Sequence, residues 1–337
     1  MSLITKIQIP DFPSKIDHSK SMMFMGSCFS ENMGQKLIDQ KFNVDMNPFG
    51  ILYNPESIGN SLRILLEKSV FTEADLFQDQ GLWNSFSHHS RFSDTNPEVA
   101  LEKINSRIQS SHNFLKKADF LMITLGTSWI YKLINSGQVV ANCHKVSAAQ
   151  FDRYRLKVNE IVDTYEALLE KLWAFNPNLK VIFTVSPIRH LKDGAIENQL
   201  SKSTLLLAID HLISKFGDRG CYYFPSYEIM MDELRDYRFY AEDMIHLSPL
   251  AINYIFERFT KSMFTVESME IATEVLKVRK AMEHRPVNPQ TAEFRKFINS
   301  SLVQIGQLSQ RLSYLDFTLE KEYFEHKMTS MTDLEGK

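Results

Sequence analysis

A serine near the start of the chain lies in the pentapeptide 26–30, GSCFS. The short apolar run 22–25 precedes it and a segment with helical spacing follows, which predicts a strand-to-helix turn. A hydroxyl there is well placed for nucleophilic attack, because the helix dipole and free backbone N–H groups stabilise a developing oxyanion. The alternative is that Ser27 is only a turn residue or a helix cap.

A carboxylate and an imidazole lie three residues apart, at Asp243 and His246, just before Ser248-Pro249 and a predicted helix. A serine hydroxyl needs a base to become a good nucleophile. Histidine suits that role because its ordinary pKa is about 6.5, and a carboxylate can fix its tautomer. In a turn before a helix, both side chains can face one cleft. The alternative is a surface aspartate and a partly buried histidine, each satisfied separately.

Other polar clusters are further candidates for lining the same cleft. His89 belongs to a long polar segment around 71–97, where it either forms part of a substrate wall or belongs to a solvated loop. Asn142 and His144 follow a short predicted strand, and they either line the pocket or form a turn. The pair Arg189-His190 follows another strand and either binds an anionic group or pairs with a surface carboxylate.

Two further chemistries receive less support from the sequence. Cys28 could act as a thiol nucleophile, but a cysteine beside an apolar phenylalanine is more often buried packing. The chain has ten histidines, yet they show no His-x-x-x-His or Cys-x-x-Cys pairing typical of a zinc site. We therefore expect no metal ligands and no cofactor.

The elements that must position these residues follow from hydrophobic patterning. Four short apolar segments, 22–25, 119–125, 180–185 and 221–224, are predicted to be buried strands separated by helices. This alternation is typical of a parallel sheet covered on both faces, whose ligands lie at the carboxyl ends of the strands. We predict an α/β fold: a three-layer α/β/α sandwich with a mostly parallel central sheet. The turns at Gly26, Gly126 and Ser186 would then share one edge.

Helices are predicted between and after these strands. The first covers 31–40, with Ser30 as its N-cap. The pattern predicts one helix over 151–175 and one long helix over 290–325, with the last dozen residues frayed. The remaining predicted helices cover 55–68, 98–116, 200–216, 248–264 and 268–282.

The predicted domain organisation has two parts. Residues 1–265 form the α/β domain with an inserted loop around 71–97, and residues 266–337 form a C-terminal helical extension. The extension packs either on the α/β domain or on a partner chain. In the second case, its long helix would join two copies of the chain in a homodimer.

Composition excludes several classes of protein. The 337 residues are 44% hydrophobic and 23% charged, which is typical of a soluble globular protein. A net charge of −3 without a basic stripe argues against a nucleic-acid partner. Three sparse cysteines are no disulfide framework and fit a reducing compartment, so we expect a cytoplasmic protein. A run of about 18 apolar residues is absent, so we expect no membrane span.

Several motifs together resemble one protein family. The pentapeptide 26–30 is similar to the name-giving motif of the GSCFA family, with Ser30 where that name has alanine. The order of a serine near the N-terminus and Asp-x-x-His near the end of the α/β region also resembles the SGNH or GDSL-type hydrolases. Matching motifs run in order from about residue 20 to 290, and the other segments are 47–55, 125–129, 142–145 and 284–286.

The resemblance implies roles for single residues. It implies Ser27 as the nucleophile, His246 as the base and Asp243 as the carboxylate that orients it. Gly50 takes the place of the glycine whose N–H helps to form the oxyanion hole.

One part of the hydrolase pattern is missing. The third oxyanion donor of SGNH enzymes is an asparagine in a Gly-x-Asn-Asp turn, and here that turn reads GTSW over 126–129. Ser128 occupies the asparagine's position, and Thr127 or Asn142 are the candidate substitutes. Losing one oxyanion donor can cost about a hundredfold or more in rate.

Two hypotheses from different classes follow. The first is a serine hydrolase-type enzyme, an esterase or O-acyltransferase, acting on a small-molecule ester such as an acylated sugar. The same residues serve both reactions, so the sequence does not separate them. The second is a binding or assembly protein that keeps the fold with weak or no catalysis, which the missing asparagine favours.

Overall fold

The structure is a computed structural model that describes residues 4–335, with side chains described for 4–331. Its strands are β1 (Ser21–Gly26), β2 (Asn43–Met46), β3 (Phe77–Asp79), β4 (Leu82–Asn84), β5 (Phe120–Leu125), β6 (Trp129–Leu133), β7 (Val139–Val140), β8 (Phe151–Arg155), β9 (Lys180–Val185) and β10 (Cys221–Tyr223). Its helices are α1 (Cys28–Asp39), α2 (Pro55–Glu67), α3 (Pro97–Leu115), α4 (Val158–Phe175), α5 (Gly194–Phe216), α6 (Ser226–Glu228), α7 (Pro249–Met263), α8 (Val266–Glu283), α9 (Ala292–Arg311) and α10 (Thr318–Glu335).

The central sheet has five parallel strands in the order β10-β9-β5-β1-β2. The chain starts in the middle, adds β2 on one side and then builds outward on the other, so the direction reverses between β1 and β5. In register, Gly26 lies opposite Thr124, which lies opposite Thr184. The carboxyl ends of β1, β5 and β9 are therefore level, and ligand sites of such sheets lie at this switch point.

Helices cover both faces of the sheet, which confirms the predicted three-layer α/β fold. Side chains alternate along each strand because successive residues point to opposite faces. Helices α2 to α5 pack on one face and α1 and α7 on the other. The first face buries Met23, Met25, Leu121, Ile123, Val181 and Phe183, and the second buries Met22, Phe24, Phe120, Met122 and Ile182.

Small antiparallel sheets interrupt this pattern. The predicted irregular loop around 71–97 contains the hairpin β3-β4, and β6, β7 and β8 form a second small sheet. The predicted helix over 151–175 was wrong at its start, because 151–155 is strand β8 and α4 begins only at Val158. Its sequence FDRYR alternates, and it pairs with the aromatic-rich strand β6, for which the sequence analysis had no prediction.

The N-cap of the first helix also differs from the prediction. Ser27, not Ser30, caps α1, and its Oγ accepts a hydrogen bond from the backbone N–H of Phe29. Ser30 lies buried in the first turn, where its hydroxyl donates to Thr124 Oγ1 at 2.7 Å. A buried hydroxyl facing the sheet finds its acceptor on a strand rather than in its own helix.

The C-terminal helices form a hydrophobic cluster of their own. The predicted single helix over 290–325 was wrong: α9 ends at Arg311 and α10 begins at Thr318. The chain turns at 312–317 because Leu312, Leu315 and Phe317 point into this cluster and are buried. Helix α10 continues to Glu335, and the fraying of the last dozen residues stays a prediction.

Ion pairs join the C-terminal helices to the α/β region. Arg279 pairs with Asp39 at 3.0 Å, and Lys41 with Glu320 at 2.8 Å. The predicted boundary near residue 265 stays a prediction, as does the homodimer, and residues 1–3 and 336–337 lie outside the described part. Over residues 4–335, none of the helices combines the length and apolarity needed to cross a membrane.

Candidate active site at the carboxyl edge of the sheet

Three turns meet at the carboxyl edge of the sheet, as the strand pattern predicted. Ser27 follows β1, Gly126 follows β5 and Ser186 follows β9. The backbone N–H of Ser186 donates to the carbonyl of Leu125 at 2.8 Å. The carbonyl of Tyr53 accepts from the N–H of Gly126 at 2.7 Å, so the segment before α2 holds the turn after β5.

Ser27 is only 1% exposed at the centre of this edge. Its Oγ accepts from Phe29 N and donates to Ser186 Oγ, both at 3.3 Å. Both distances are long for hydrogen bonds, so neither contact holds the hydroxyl strongly. The turn itself requires glycine at position 26, because a Cβ there would lie 2.3 Å from the carbonyl oxygen of Thr124.

The segment after β2 supports the Ser27 turn from the other side. Asn47 is buried and its Oδ1 accepts from the N–H of Gly26 at 2.9 Å, while its buried Nδ2 has no partner among the described residues. Gly50 has φ +84°, and its N–H donates to the carbonyl of Asn47 at 2.8 Å. A Cβ on Gly50 would lie 2.1 Å from His89 Cβ, so His89 packs directly on this glycine.

Asp243 and His246 form a hydrogen-bonded pair. His246 Nδ1 donates to Asp243 Oδ2 at 2.6 Å. Asp243 Oδ1 accepts from the backbone N–H groups of Ile245 and His246, each at 3.0 Å, which closes the turn on the carboxylate. The hydrogen bond from His246, followed by that from Ile245, holds the pKa of Asp243 below its ordinary value. Both side chains are about half exposed.

This turn lies near the start of α1. Burial raises the pKa of the Cys28 thiol, and the charges of Glu31 and Asp243 raise it further. Asp243 therefore acts on the residue next to Ser27. A thiol with a raised pKa stays protonated, which disfavours Cys28 as a nucleophile. Among the described residues, His246 Nε2 has no hydrogen-bond partner, and Ser27 and His246 are not hydrogen-bonded to each other.

Thr127 and Ser128 face helix α5. Ser128 is buried; its N–H and its Oγ both donate to Ser201 Oγ, at 2.8 and 3.1 Å. Thr127 Oγ1 lies 3.1 Å from the same oxygen. Their side chains therefore fix the turn after β5 to α5.

Asn142 and His144 form a turn that holds the inserted loop. Asn142 Oδ1 accepts from the N–H of His144 at 3.0 Å. His144 Nε2 donates to the carbonyls of Ser85 and His88, at 2.8 and 3.1 Å. Burial is the largest cause that lowers the pKa of His144. Both residues use their polar atoms in contacts within the protein.

Lys202 of α5 is a site residue that the sequence analysis missed. Its side chain is 0% exposed, and Nζ donates to the carbonyls of Gly126 and Ser186 at 2.7 and 2.8 Å. The signal for it was present, because position 202 falls on the same helical stripe as the buried Leu205, Ile209 and Leu212. Lysine is almost never fully buried without a paired charge, so the residue type by itself indicated a solvent-exposed position.

A metal ion at this edge would need a group of side chains that could bind it. Within the part of the chain that the structure describes, His, Cys, Asp and Glu side chains form no group of three or more that could hold a metal ion.

Comparison with known families agrees with the motifs. The model of the GSCFA family matches residues 21–259, which is more than half of the chain. The chain belongs to the GSCFA family. A second model, described as the C-terminal domain of GSCFA domain proteins, matches residues 275–330. These matches confirm the resemblance inferred from the motifs, and the gap between them falls within α7 to α8.

Solved structures resemble this GSCFA protein only distantly. A candidate acylhydrolase from Bacteroides fragilis is 10% identical with a TM-score of 0.38, over 74% of this chain and 88% of that one. An acetyl xylan esterase from the rumen bacterium Butyrivibrio proteoclasticus is 11% identical with a TM-score of 0.37, over 72% of this chain and 63% of that one. At such low values these likenesses carry no argument about activity. Among curated proteins, no sequence matches this GSCFA protein.

Proposed function

We propose that this GSCFA protein is a serine hydrolase-type enzyme that cleaves or transfers the acyl group of a small-molecule O-ester. One observation carries the proposal: Asp243 and His246 form a hydrogen-bonded pair, and the charge of Asp243 acts on Cys28, the residue after Ser27 at the start of α1. Carboxylate, imidazole and hydroxyl are the three groups that nucleophilic acyl transfer needs. Sugars and other small polar molecules with O-acyl groups are the proposed substrates.

The reaction divides into two steps. Ser27 Oγ attacks the ester carbonyl carbon while His246 Nε2 takes the hydroxyl proton, and Asp243 stabilises the imidazolium at Nδ1. The imidazolium then gives the proton to the departing alcohol oxygen as the C–O bond breaks. In hydrolysis, water attacks the acyl-serine through the same base and releases the acid. In transfer, a second alcohol replaces water.

Donors for the oxyanion lie at the start of α1. Helix geometry leaves the N–H of Cys28 without a carbonyl acceptor in its own helix, so it can donate to a developing negative charge. The buried Nδ2 of Asn47 is a spare donor beside the same turn. The N–H of Gly50 joins them only if it leaves the carbonyl of Asn47.

A movement of Ser27 and His246 toward each other has to complete the site. Ser27 Oγ caps α1 at 3.3 Å, and it must turn toward His246 Nε2 as the Asp243–His246 turn closes. Catalytic hydrogen bonds are often long in unliganded enzymes and tighten when substrate binds. Met244 and Ile245, both more than 40% exposed, lie on that turn and would become covered by substrate.

A second candidate function is a binding protein that keeps this fold without catalysis. Gly50 N–H, Thr127 and Ser128 all have hydrogen-bond partners inside the protein, and these are three of the groups expected to bind an oxyanion. This arrangement favours a site that holds an ester or an alcohol without activating it. The two candidates differ in whether Ser27 is reactive.

Hydrolysis of p-nitrophenyl acetate tests the proposal. We expect the wild type to release nitrophenol with saturation, and Ser27→Ala and His246→Ala to lose about 10²-fold or more of kcat. Ser27→Ala also removes a helix cap, which costs about 1 kcal/mol of stability. Thr265→Ala is the matched control, because it removes the cap of α8 away from the site. Full activity in Ser27→Ala would refute the proposal.

A further inference from the structure

Lys202 is a buried lysine with unusual surroundings. Its side chain is 0% exposed, and among the described side chains no carboxylate forms an ion pair with it. Its acceptors are two carbonyl oxygens, and its Nζ lies 5.4 Å from the centre of the Tyr227 ring. Burying a charge without a counter-ion is costly, so a lysine at this position needs an explanation other than stability.

The two carbonyls belong to the turns that line the candidate site. Lys202 joins Gly126, at the end of β5, to Ser186, at the end of β9. Ser186 also accepts from Ser27 through its hydroxyl at 3.3 Å. One residue therefore connects the buried ammonium group to the proposed nucleophile.

Helix α5 fixes one of these turns, the one after β5, through a second contact. Ser201, next to Lys202, accepts from the N–H and the hydroxyl of Ser128. The turn over 126–129 is thereby fastened to α5. A preorganised positive charge behind these turns supplies the kind of electrostatic stabilisation that an oxyanion needs.

We propose that Lys202 is a positioning residue of the active site, which holds the turns after β5 and β9 together and places an uncompensated positive charge behind them. The catalytic part of this proposal rests on the proposed function. The positioning part rests only on the two hydrogen bonds and can be tested by itself.

The environment of Lys202 makes its charge sensitive to pH. Burial, followed by the charge of Arg189, lowers the pKa of Lys202 to about 7. The titratable groups that face it are Arg189 and His190, from the connection between β9 and α5, and Tyr227 of α6. As pH rises through about 7, the ammonium group loses its proton and its charge, so the site loses this contribution on the alkaline side.

The first test is hydrogen–deuterium exchange of Lys202→Met in the full chain. We expect about tenfold faster exchange in the turns at 126–128 and 186–189, since their amides depend on that anchoring. Lys215→Met is the matched control on the same helix, because Lys215 is half exposed and pairs with Glu166. Unchanged exchange in both turns would overturn the positioning claim.

The second test is the rate at which a fluorophosphonate labels Ser27 between pH 5.5 and 9. For the wild type we expect the rate to fall above about pH 7, with Lys202→Met about tenfold slower at pH 6.5 and without that alkaline fall. Lys202→Gln keeps a donor without charge, so it should restore protection of the turns but not the alkaline fall. An alkaline fall that persists in Lys202→Met would overturn the electrostatic claim.

The two tests fail in different ways. A wild type that is not labelled at any pH would refute the proposed function together with the electrostatic claim. The exchange measurement would still decide whether Lys202 positions the two turns.

Discussion

Two polar regions of the molecule each contain motif residues, and they use those residues differently. We call the first the rim; it comprises Ser27, Ser186, Lys202, Asp243 and His246. We call the second the clip; it comprises Ser85, His88, Asn142 and His144. In the clip, His144 and Asn142 use their polar atoms for neighbouring backbone groups.

At the rim, the hydrogen bonds leave reactive atoms available. His246 binds Asp243 through Nδ1 and keeps Nε2 without a partner among the described residues. Ser27 makes only two long contacts. The clip also contains a nitrogen without a partner, His88 Nε2, but that atom is buried, whereas the His246 side chain is half exposed and within reach of a substrate. Motif residues alone do not separate these cases, because both regions are rich in histidine and hydroxyl groups.

The largest effect on activity is expected when Asp243, the carboxylate of the rim, is replaced. Asp243→Asn keeps an oxygen that accepts from the N–H of Ile245, but its NH₂ group opposes Nδ1–H and favours the wrong tautomer of His246. We expect kcat for ester hydrolysis to fall about 10²-fold or more, with an unchanged melting temperature. Activity within twofold of the wild type would show that the pair is not catalytic.

Substitutions in the clip should lower the stability of the protein rather than its activity. His144→Ala removes the donor for the carbonyls of Ser85 and His88, so we expect the free energy of unfolding to fall by about 1–3 kcal/mol. The activity of the remaining folded protein should change little. Urea unfolding and initial rates measured on one preparation provide the check. A large loss of kcat without a loss of stability would place His144 in the substrate site.

A smaller, pH-dependent effect is expected at His88 of the clip. Its ring is 1% exposed and stacks on Phe49 with 4.7 Å between the centroids, and burial lowers its pKa to about 3. The unfolded chain binds a proton below about pH 6.5. Between those values the unfolded state binds more protons, so stability falls with falling pH by up to about 1.4 kcal/mol per unit.

Replacing His88 isolates its contribution to the pH dependence of stability. In His88→Phe, the free energy of unfolding should depend less steeply on pH between 6 and 4 than in the wild type, by up to one proton. Urea titrations at several pH values measure the slope. Identical slopes in both proteins would mean that His88 is protonated in the folded state.

The smallest effect is expected at the cysteine beside the nucleophile. Cys28→Ala should keep esterase activity within about twofold, because the raised pKa keeps that thiol protonated. Loss of activity in Cys28→Ala, with activity kept in Ser27→Ala, would transfer the nucleophile to the thiol.

Much of the fold could be predicted because its strands are short apolar runs. Segments such as 119–125 and 180–185 are buried on both faces, and their spacing by helices indicates a parallel sheet. The turn at 26–30 and the pair Asp243–His246 could be found for a similar reason, since each follows or precedes a clearly patterned element. These are local signals that need no tertiary contact to be recognised.

Other features depend on contacts that local patterns do not contain. Strand β8 exists because β6 pairs with it, and the break at 312–317 exists because apolar side chains turn into the C-terminal cluster. Lys202 is buried because two carbonyls that lie far apart in the sequence converge on its ammonium group. The burial of a charged residue depends on its tertiary partners, so the residue type alone wrongly indicated that Lys202 would be exposed.

The most direct test of the central claim is covalent labelling of the wild type with a fluorophosphonate, followed by intact mass and peptide mapping. The account predicts one adduct, on Ser27, which is lost in His246→Ala and kept in Cys28→Ala. A folded, soluble wild type that takes no adduct, or an adduct on another residue, would contradict an activated Ser27 and favour the binding function.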